Sequence, residues 1–272
     1  MTYYPANYHT HSLYCDGKST LEEQVRAAEK CGLRQLGFSS HAPVPFENTF
    51  AMEEAKLPDY IREIDELQRT TDVTLLKSLE CDYIPEVTTD FAERQDKNGL
   101  DYLIGGVHQV RQPHGDGLWF IDGPSWERYD EGLQRLFGGD IRRGVRAYYH
   151  QQNAMLERNR PTIVGHPDKI VMHNRDRYFT EDEPWYRDLA LETIHLIKEL
   201  DLICEINTRG IYKGRHADYY PGKWLIQEMK SLRIPVIVST DAHAPEDLLR
   251  TEGAYEYLKE IDYRDVLQSL SI

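Results

Sequence analysis

Two histidines near the start of the chain have the spacing of a metal-binding pair. His9 and His11 flank Thr10, so on a strand both imidazoles would leave the same face and could bind one cation together. Asp16 follows in an early loop, just before Gly17, where its carboxylate can turn back to the same site. The pair is weak evidence by itself, and its interpretation depends on the rest of the chain.

Further metal-binding side chains follow the later β-rich segments. They are His41, Glu80, His108, His166, Asp241 and His243. Any one of these histidines alone is more often a hydrogen-bonded structural residue than a ligand. Packed together without cations, however, six imidazoles and three carboxylates would be poorly satisfied and mutually repelling. The nine residues therefore predict a site for more than one divalent ion, and this ligand chemistry suits zinc, iron(II) or manganese.

Seven short β-rich segments position these residues. They span residues 7–10, 35–39, 74–81, 102–107, 162–165, 202–206 and 235–239, with helical patterning between most of them. Strands that alternate with helices indicate a mostly parallel sheet. Seven such units without a break in composition predict an α/β fold, a closed or nearly closed β/α barrel. The carboxyl ends of its strands would meet at one mouth, which brings the nine side chains together.

Two helices have clear sequence signatures. Ser19 can cap the first helix, and Glu22 completes a capping box three residues later. Leu21, Val25 and Ala28 then line one face of this helix. A second helix is predicted over residues 185–200, with its apolar residues along one side.

The longest departure from the strand and helix alternation lies at residues 109–124. This segment is rich in glycine, proline and aromatic residues, and helical stretches follow it to about residue 158. We interpret it as an insertion over the strand ends of a single domain that covers residues 1–272. Barrel enzymes carry their chemistry in loops at this face, so the insertion could be a lid, and an ornamental loop is an equally open alternative.

Composition excludes several classes of protein. The 272 residues are 40% hydrophobic and 11% aromatic, which supplies a sizeable core and excludes a disordered chain. The 32 basic and 46 acidic residues give a net charge of −14, a balance that repels long nucleic acids. No apolar run approaches a membrane span and the first ten residues lack a secretion signal, so we expect a cytoplasmic protein. Four scattered cysteines favour reduced thiols over a zinc ribbon or disulfides.

Seven short motifs between residues 8 and 243 resemble one known family. They are Tyr8-His9-Thr10-His11 with Asp16, Ser40-His41-Ala42-Pro43, Leu79-Glu80-Cys81-Asp82, Gly105-Gly106-Val107-His108, Gly165-His166-Pro167-Asp168, Glu205-Ile206-Asn207 and Ser239-Thr240-Asp241-Ala242-His243. Through them the chain resembles the polymerase and histidinol phosphatase (PHP) family of metal-dependent phosphoesterases. Its length, the loop after His108 and the spacing of the fifth and sixth strands resemble the histidinol-phosphatase branch. Two positions depart from the family pattern: Ser40 stands where many members carry Asp, and Gly106 where Ser is common.

The resemblance implies a distorted (β/α)7 TIM-like barrel, PHP-type, with up to three divalent metal ions. It also implies which side chains bind each ion. The first ion would be bound by His9, His11, Glu80 and Asp241; the second by Glu80 as a bridge with His108 and His166; and the third by Asp16, His41 and His243.

Such a site can hydrolyse a phosphomonoester. Two ions about 3.5 to 4 Å apart share a water and lower its pKa toward neutrality, which provides a metal-bridging hydroxide as the nucleophile. A third cation would offset charge on the phosphoryl oxygens. We predict Asp241, Glu80 and His243 as catalytic residues, with Asp241 also orienting the water. Arg209, just beyond the sixth strand, is a candidate phosphate ligand because its guanidinium is a fixed planar donor, and a solvated loop arginine is the alternative.

The resemblance also implies the substrate, L-histidinol phosphate, and therefore a role in histidine biosynthesis. We expect a small phosphorylated metabolite as the partner, without long nucleic acid or membrane, and the sequence leaves the oligomeric state open. Three alternatives remain: a PHP-type phosphodiesterase acting on short nucleotides, an amidohydrolase barrel, and a metal-binding module without turnover. An amidohydrolase also begins with two alternating histidines, but it would not require His41, Glu80 and the Asp241–His243 pair together.

Other polar residues receive structural interpretations. His114, His150, His173, His195 and His216 are expected to be solvent-facing or structural. Cys81 neighbours Glu80 and should therefore face the core. The cationic residues on the loops after the fifth and sixth strands, Lys169, Arg175, Lys213 and Arg215, are left without a role because surface lysines and arginines are common.

Overall fold

Parallel strands alternate with helices along the chain. The computed structural model describes residues 6–123 and 125–270. Its strands are β1 Ala6–Asn7, β2 Gln35–Phe38, β3 Thr74–Lys77, β4 Glu80–Asp82, β5 Ile104–Gly106, β6 Gln109–Arg111, β7 Leu118–Phe120, β8 Ile163–Val164, β9 Ile203–Asn207 and β10 Val236–Ser239. Its α-helices are α1 Leu21–Cys31, α2 Leu57–Gln68, α3 Phe91–Asn98, α4 Trp126–Phe137, α5 Ile141–Asn159, α6 Pro184–Glu199, α7 Arg209–Tyr212, α8 Lys223–Leu232 and α9 Ala254–Glu260.

The parallel strands form a closed ring. β1, β2 and β3 make one sheet, and β4, β5, β8, β9 and β10 make a second. Isolated parallel bridges join the two sheets on both sides, between Thr10 and Ala242 and between His41 and Glu80. Because β3 runs directly into β4, the ring corresponds to the seven predicted strands. The predicted distorted (β/α)7 barrel is confirmed.

The third predicted strand is interrupted, so its prediction as one continuous strand over residues 74–81 is wrong. Thr74–Lys77 pairs with β2, whereas Glu80–Asp82 pairs with β5. At the break, the Tyr60 hydroxyl donates to the Ser78 carbonyl at 3.0 Å. The strand therefore changes neighbours at this point, and the change places Glu80 between the two sheets.

The first helix begins one residue later than the predicted cap. Thr20, not Ser19, is the N-cap: its Oγ1 accepts from the Glu23 amide at 3.1 Å, and Glu23 Oε2 accepts from the Thr20 amide at 2.9 Å. Ser19 instead accepts a hydrogen bond from the Leu13 amide through its carbonyl. A Ser-Thr pair followed by two glutamates offers two registers for a capping box, and tertiary contacts select between them. The predicted apolar face of Leu21, Val25 and Ala28 is buried.

Apolar side chains fill the barrel beneath the mouth. The strand register pairs Ile104 with Glu80 and with Ile163, and Ile237 with Glu205. Paired residues on neighbouring strands project from the same face, so these isoleucines face the inside of the ring together with the two carboxylates. The same buried cluster also contains Tyr8, Leu76, Tyr102 and Leu270. Burial of one such isoleucine contributes roughly 1.5 to 3 kcal/mol.

The predicted insertion contains an antiparallel hairpin made by β6 and β7. Trp119 anchors it: the indole is fully buried, and its Nε1 donates to the Tyr129 carbonyl at 2.8 Å. The strand alternation then places Phe120 and Asp122 at the mouth of the barrel. Pro124, the last residue of the predicted insertion, lies outside the described residues.

The sequence predicts where the helices lie more accurately than it predicts their first and last residues. The helix predicted over residues 185–200 is α6, Pro184–Glu199. Among residues 6–123 and 125–270, none of the helices combines the length and the apolar character needed to cross a bilayer.

Candidate metal centre

The nine predicted side chains converge at the carboxyl ends of the barrel strands. Their ligand atoms form four overlapping groups in which all atoms lie within 4.8 Å of one another. The groups are His11, Asp16, His41 and His243; His9, His11 and Asp241; His9, Glu80 and His166; and His41, Glu80 and His108. Since the groups share members, the side chains make one continuous cluster.

Glu80 lies at the centre of this cluster. Its Oε1 lies 2.8 Å from His166 Nε2 and 3.3 Å from His108 Nε2. The distances from Oε2 are 3.2 Å to His9 Nε2, 3.4 Å to His11 Nε2 and 3.1 Å to His41 Nδ1. One carboxylate with two oxygens directed at separate sets of imidazoles has the arrangement of a ligand that bridges two cations.

Asp241 enters the cluster from the end of β10. Its Oδ1 lies 3.4 Å from His11 Nε2, 3.9 Å from His9 Nε2 and 3.3 Å from His243 Nδ1. The backbone of Asp241 is left-handed, with φ of 51°, and His166 has φ of 26°. Such conformations cost about 1 to 3 kcal/mol and persist where the surrounding structure holds them, commonly at functional sites.

The early loop brings Asp16 to the outer side of the cluster. Asp16 Oδ1 lies 3.3 Å from His243 Nε2 and 3.8 Å from His41 Nε2. The turn that returns the chain depends on Gly17, because a Cβ there would lie 2.4 Å from the Ser12 amide nitrogen. The predicted return of this carboxylate to the site is therefore present in the fold.

Cys15 lies beside the cluster without the properties of a ligand. Its Sγ lies 3.4 Å from His11 Nδ1, the ring nitrogen that faces away from Asp241. Burial raises the pKa of the Cys15 thiol to about 11, so it stays protonated near neutral pH.

Gly106 gives two of the imidazoles room to approach each other. A Cβ at this position would lie 3.0 Å from His166 Cε1 and 3.7 Å from His108 Cε1. The two rings meet with Nε2 atoms 3.3 Å apart. The glycine that departs from the family pattern thus lies directly beneath the side chains that contact Glu80.

The three carboxylates are ionised near neutral pH. Burial alone would raise the pKa of each, because it disfavours the charged form. The surrounding imidazoles nevertheless hold the pKa of Glu80 and of Asp16 below the usual range. For Asp241 the main opposing influence is Arg209, followed by His9. The site therefore offers fixed negative charge to cations.

The pKa values of the buried histidines are shifted in opposite directions. Burial, with His243 and His41 nearby, lowers the pKa of His11 to about 3. Burial also disfavours protonated His108, but the Glu80 carboxylate outweighs it and raises the pKa to about 9. Protons cannot satisfy all of these rings at once, whereas divalent cations could.

Orphaned polar atoms provide an independent test of whether cations fit. Within the described part of the chain, three atoms that face the other predicted ligands are buried without a hydrogen-bond partner: His9 Nε2, His11 Nε2 and Asp241 Oδ1. Buried polar atoms are almost always satisfied, and an unmet group calls for an explanation such as an ion. Divalent metal ions fit this donor set, as the sequence predicts.

A family comparison agrees with this geometry. The family model of the PHP domain matches residues 7–209. The chain belongs to the PHP domain family. The match includes seven of the nine predicted ligands and ends before Asp241 and His243, which the closure of the barrel brings to the same mouth.

Full-length relatives of this PHP domain protein share about a quarter of its residues. A Deinococcus radiodurans protein named "Probable histidinol-phosphatase" is 28% identical over 268 residues, covering 95% of this chain and 94% of that one. The Bacillus subtilis histidinol-phosphatase is 26% identical over 257 residues, covering 88% and 94%. A crystal structure of the Lactococcus lactis histidinol phosphate phosphatase, complexed with zinc, L-histidinol and phosphate, has a TM-score of 0.65 at 20% identity, covering 97% of this chain and 95% of that chain. The structural similarity establishes a shared PHP fold.

The structure places Arg209 at the site, largely buried. Its Nη1 donates to the Asp241 carbonyl at 2.6 Å and lies 2.8 Å from His243 Nδ1. The alternative of a solvated loop arginine is wrong, because tertiary contacts hold the guanidinium against two predicted ligands. Its predicted role in phosphate binding stays a prediction.

The pocket above the cluster has an aromatic and charged wall. Its outer lining includes Phe50, Phe120, Asp122, Arg128 and Arg215. Phe50 and Phe120 stack with ring centroids 5.7 Å apart. This wall adjoins the ligand cluster, since the Phe50 ring lies 5.3 Å from the His41 ring, and it can contact the organic part of a bound molecule.

The sequence does not predict two features of the site, the ion pair between Asp122 and Lys169 and the hydrogen bond between Glu205 and His9. Asp122 lies 3.3 Å from Lys169 Nζ, an ammonium group that is almost fully buried, and its Oδ1 lies 3.6 Å from Arg215. Burial opposes ionisation of Asp122, but Lys169 holds its pKa below the usual range. Glu205 is fully buried and hydrogen-bonds to His9. The motif around Glu205 was visible in the sequence, but its contacts depend on residues distant along the chain.

The structural interpretations of His114, His150, His173, His195 and Cys81 are confirmed. His114, His150 and His195 are exposed. His173 is buried, and its Nε2 bonds to the Gly123 carbonyl at 2.8 Å, so it has a structural role. Cys81 is buried in the core, as expected from its neighbour Glu80.

Proposed function

We propose that this PHP domain protein is a metal-dependent phosphomonoesterase that hydrolyses L-histidinol phosphate to L-histidinol and phosphate. The observation that carries the proposal is the cluster of nine imidazole and carboxylate side chains with orphaned ligand atoms at the barrel mouth. The substrate is supported by the names of full-length relatives, which are histidinol-phosphatases. Histidine biosynthesis and a cytoplasmic location belong to the same proposal.

The proposed ligand sets largely follow the groups seen in the fold. Asp16, His41 and His243 lie in one group, which His11 also joins, and Asp241 groups with His9 and His11. Glu80 contacts His108 and His166 through one oxygen and His9, His11 and His41 through the other. When bound, two or three divalent ions supply an activated water and neutralise the phosphoryl oxygens.

The chain's own side chains would orient these participants. Glu80 holds two ligand groups at a fixed separation because its two oxygens face different imidazoles. Asp241 Oδ1 has no hydrogen-bond partner in the described chain and can accept a proton from a water in the pocket. Phosphoryl transfer depends mainly on positioning and electrostatic stabilisation, and a fixed anionic framework provides both.

The position of the proton on the His243 ring supports the proposed role of Arg209 in phosphate binding. Arginine only donates, so the 2.8 Å contact makes His243 Nδ1 the acceptor and leaves the proton of a neutral ring on Nε2. Binding of a cation at Nε2 requires that proton on Nδ1, where the Asp241 carbonyl lies 3.1 Å away as an acceptor. With a cation held at Nε2, Arg209 would no longer donate to His243, and its remaining N–H groups could bind a phosphate in the pocket that it lines.

Substitution of Arg209 by lysine is expected to raise KM for the phosphate ester more than it lowers kcat. Lysine keeps the charge but loses the planar pair of donors. Hydrogen bonds to a charged group are worth about 1.5 to 3 kcal/mol, which corresponds to a roughly 10- to 150-fold loss of kcat/KM. Steady-state kinetics would measure the loss, with Arg233→Lys as the matched exposed control. An unchanged kcat/KM in Arg209→Lys would show that the guanidinium does not bind phosphate.

The hairpin is proposed to act as the roof of the pocket in a single PHP domain. Its end supplies Phe120, which stacks on Phe50, and Asp122, which pairs with the buried Lys169. Both contacts tie the hairpin to the barrel over the ligand cluster. This arrangement supports a lid-like role over an ornamental one.

A kinetic comparison tests the proposed function. Metal-loaded protein would be assayed with L-histidinol phosphate, p-nitrophenyl phosphate and a bis-aryl phosphodiester. We expect the largest kcat/KM for L-histidinol phosphate and the smallest for the diester. Faster turnover of the diester than of either monoester would refute the phosphomonoesterase and favour the phosphodiesterase alternative. Absence of turnover with any ester would favour a metal-binding module.

A further inference from the structure

One barrel strand ends without a metal ligand at the mouth. β9 delivers Glu205 and Asn207 instead, and both side chains are fully buried. Neither lines the substrate pocket. Because every other barrel strand leads to a predicted ligand, the chemistry at the end of β9 needs its own explanation.

Glu205 fixes the ring of a predicted ligand. Its Oε1 lies 2.6 Å from His9 Nδ1, the shortest of the His9 contacts. A carboxylate can only accept, so His9 Nδ1 carries a proton, and in the neutral ring Nε2 keeps the lone pair that a cation would take. That Nε2 faces Glu80 at 3.2 Å and has no hydrogen-bond partner in the described residues. The contact thus turns the free ligand atom of His9 toward the centre of the cluster.

The second carboxylate oxygen of Glu205 accepts hydrogen bonds that connect it to two other predicted ligands. Oε2 accepts from the His166 amide at 3.0 Å and from Asn207 Nδ2 at 3.2 Å. Asn207 Nδ2 also lies 3.3 Å from Asp241 Oδ2. The His166 amide belongs to a residue with positive φ, so this hydrogen bond helps to hold a strained turn.

We propose that Glu205, together with Asn207, positions the metal ligands His9, His166 and Asp241. This inference deepens the proposed function and depends on its metal centre, but not on the identity of the substrate. Glu205 acts through the ligands: it sets which nitrogen of His9 is free, and its negative charge makes that imidazole a stronger donor. Asn207 links the carboxylates of Glu205 and Asp241 and keeps both oriented. Loss of such support typically weakens metal affinity 10- to 100-fold.

The test uses zinc binding without any substrate. Metal-stripped wild type, Glu205→Gln and the control Glu228→Gln, an exposed glutamate of α8, would be titrated with Zn²⁺ against a chromophoric chelator. Glutamine keeps the size of the side chain and removes its charge. We expect the tightest zinc site to weaken 10- to 100-fold in Glu205→Gln and to stay unchanged in Glu228→Gln. Wild-type zinc affinity in a folded Glu205→Gln protein would overturn the proposal.

Two further readouts separate positioning from a general structural role. In the Co²⁺-loaded protein, Glu205→Gln is expected to shift the visible absorption bands, because the coordination of His9 changes. In an activity assay, excess zinc should restore most of kcat while KM stays near the wild-type value, since Glu205 does not touch the pocket. An unshifted Co²⁺ spectrum, or a kcat that excess metal does not restore, would contradict the positioning role.

A second variant keeps the test decisive if Glu205→Gln does not fold. Asn207→Ala leaves Glu205 in place and removes the amide that joins it to Asp241, together with the acceptor of the Arg209 backbone amide. Weaker zinc binding in this variant supports the proposal, and wild-type binding overturns it. A wild-type protein that binds zinc but hydrolyses no phosphate ester would refute the proposed function and leave the metal-positioning inference intact.

Discussion

Glu80→Gln is expected to reduce phosphomonoester hydrolysis at least about 10³-fold and to remove more than one metal ion from each chain. Glu80 contacts five imidazoles through its two oxygens. Glutamine preserves the volume but presents one neutral oxygen and one amide donor, so it cannot bridge two cations. A loss of about 4 kcal/mol of metal-assisted stabilisation corresponds to this factor in rate.

Metal stoichiometry is the decisive measurement for this variant. Elemental analysis after gel filtration would count the ions bound per chain in wild type, in Glu80→Gln and in the exposed control Glu260→Gln. The control is expected to match wild type in both metal content and kcat. A Glu80→Gln protein that retains the full metal content would show that this carboxylate is not a bridge. Circular dichroism would verify that the barrel remains folded.

Asp241→Ala is expected to abolish turnover to a similar degree while removing one ion at most. Its Oδ1 lies within 3.9 Å of nitrogen atoms of His9, His11 and His243, but it does not join separate groups as Glu80 does. His9→Ala should have the same effect on turnover. We expect the folded state to survive, because both side chains lie in a polar mouth above the apolar interior of the barrel.

A shape-preserving variant controls for the unusual backbone of Asp241. Alanine is disfavoured at φ of 51°, whereas asparagine tolerates the left-handed region. Asp241→Asn should therefore lose activity like Asp241→Ala while unfolding at a temperature closer to that of wild type. Asp188→Asn, on the exposed face of α6, provides the matched control. Full activity in Asp241→Asn would show that the carboxylate charge is not needed.

Much of the site could be predicted from the sequence because parallel barrels collect their strand ends at one mouth. His41, His108 and His166 follow short apolar segments, and this position is visible without knowledge of the fold. The return of Asp16 was also predictable, since Gly17 permits a turn against Ser12. Residue type and strand position were sufficient for these ligands.

The remaining features depend on contacts between distant segments. Glu205 lies 196 residues from His9, and nothing local distinguishes it from a carboxylate that is paired elsewhere. Asp122 and Lys169 belong to an insertion and a loop, and only the folded hairpin brings them together. The displaced cap at Thr20 and the break after Lys77 are local, but each is decided by hydrogen bonds to other parts of the fold.

Phosphate release by metal-stripped protein, as metal is added back, tests the central claim most directly. Chelator-treated enzyme would be given L-histidinol phosphate and increasing equivalents of Zn²⁺ or Mn²⁺. The nine-residue cluster predicts no release without metal and activity that rises with added ions to a plateau at two or three per chain. Undiminished release from protein verified to be free of metal would contradict a metal-dependent reaction at this site.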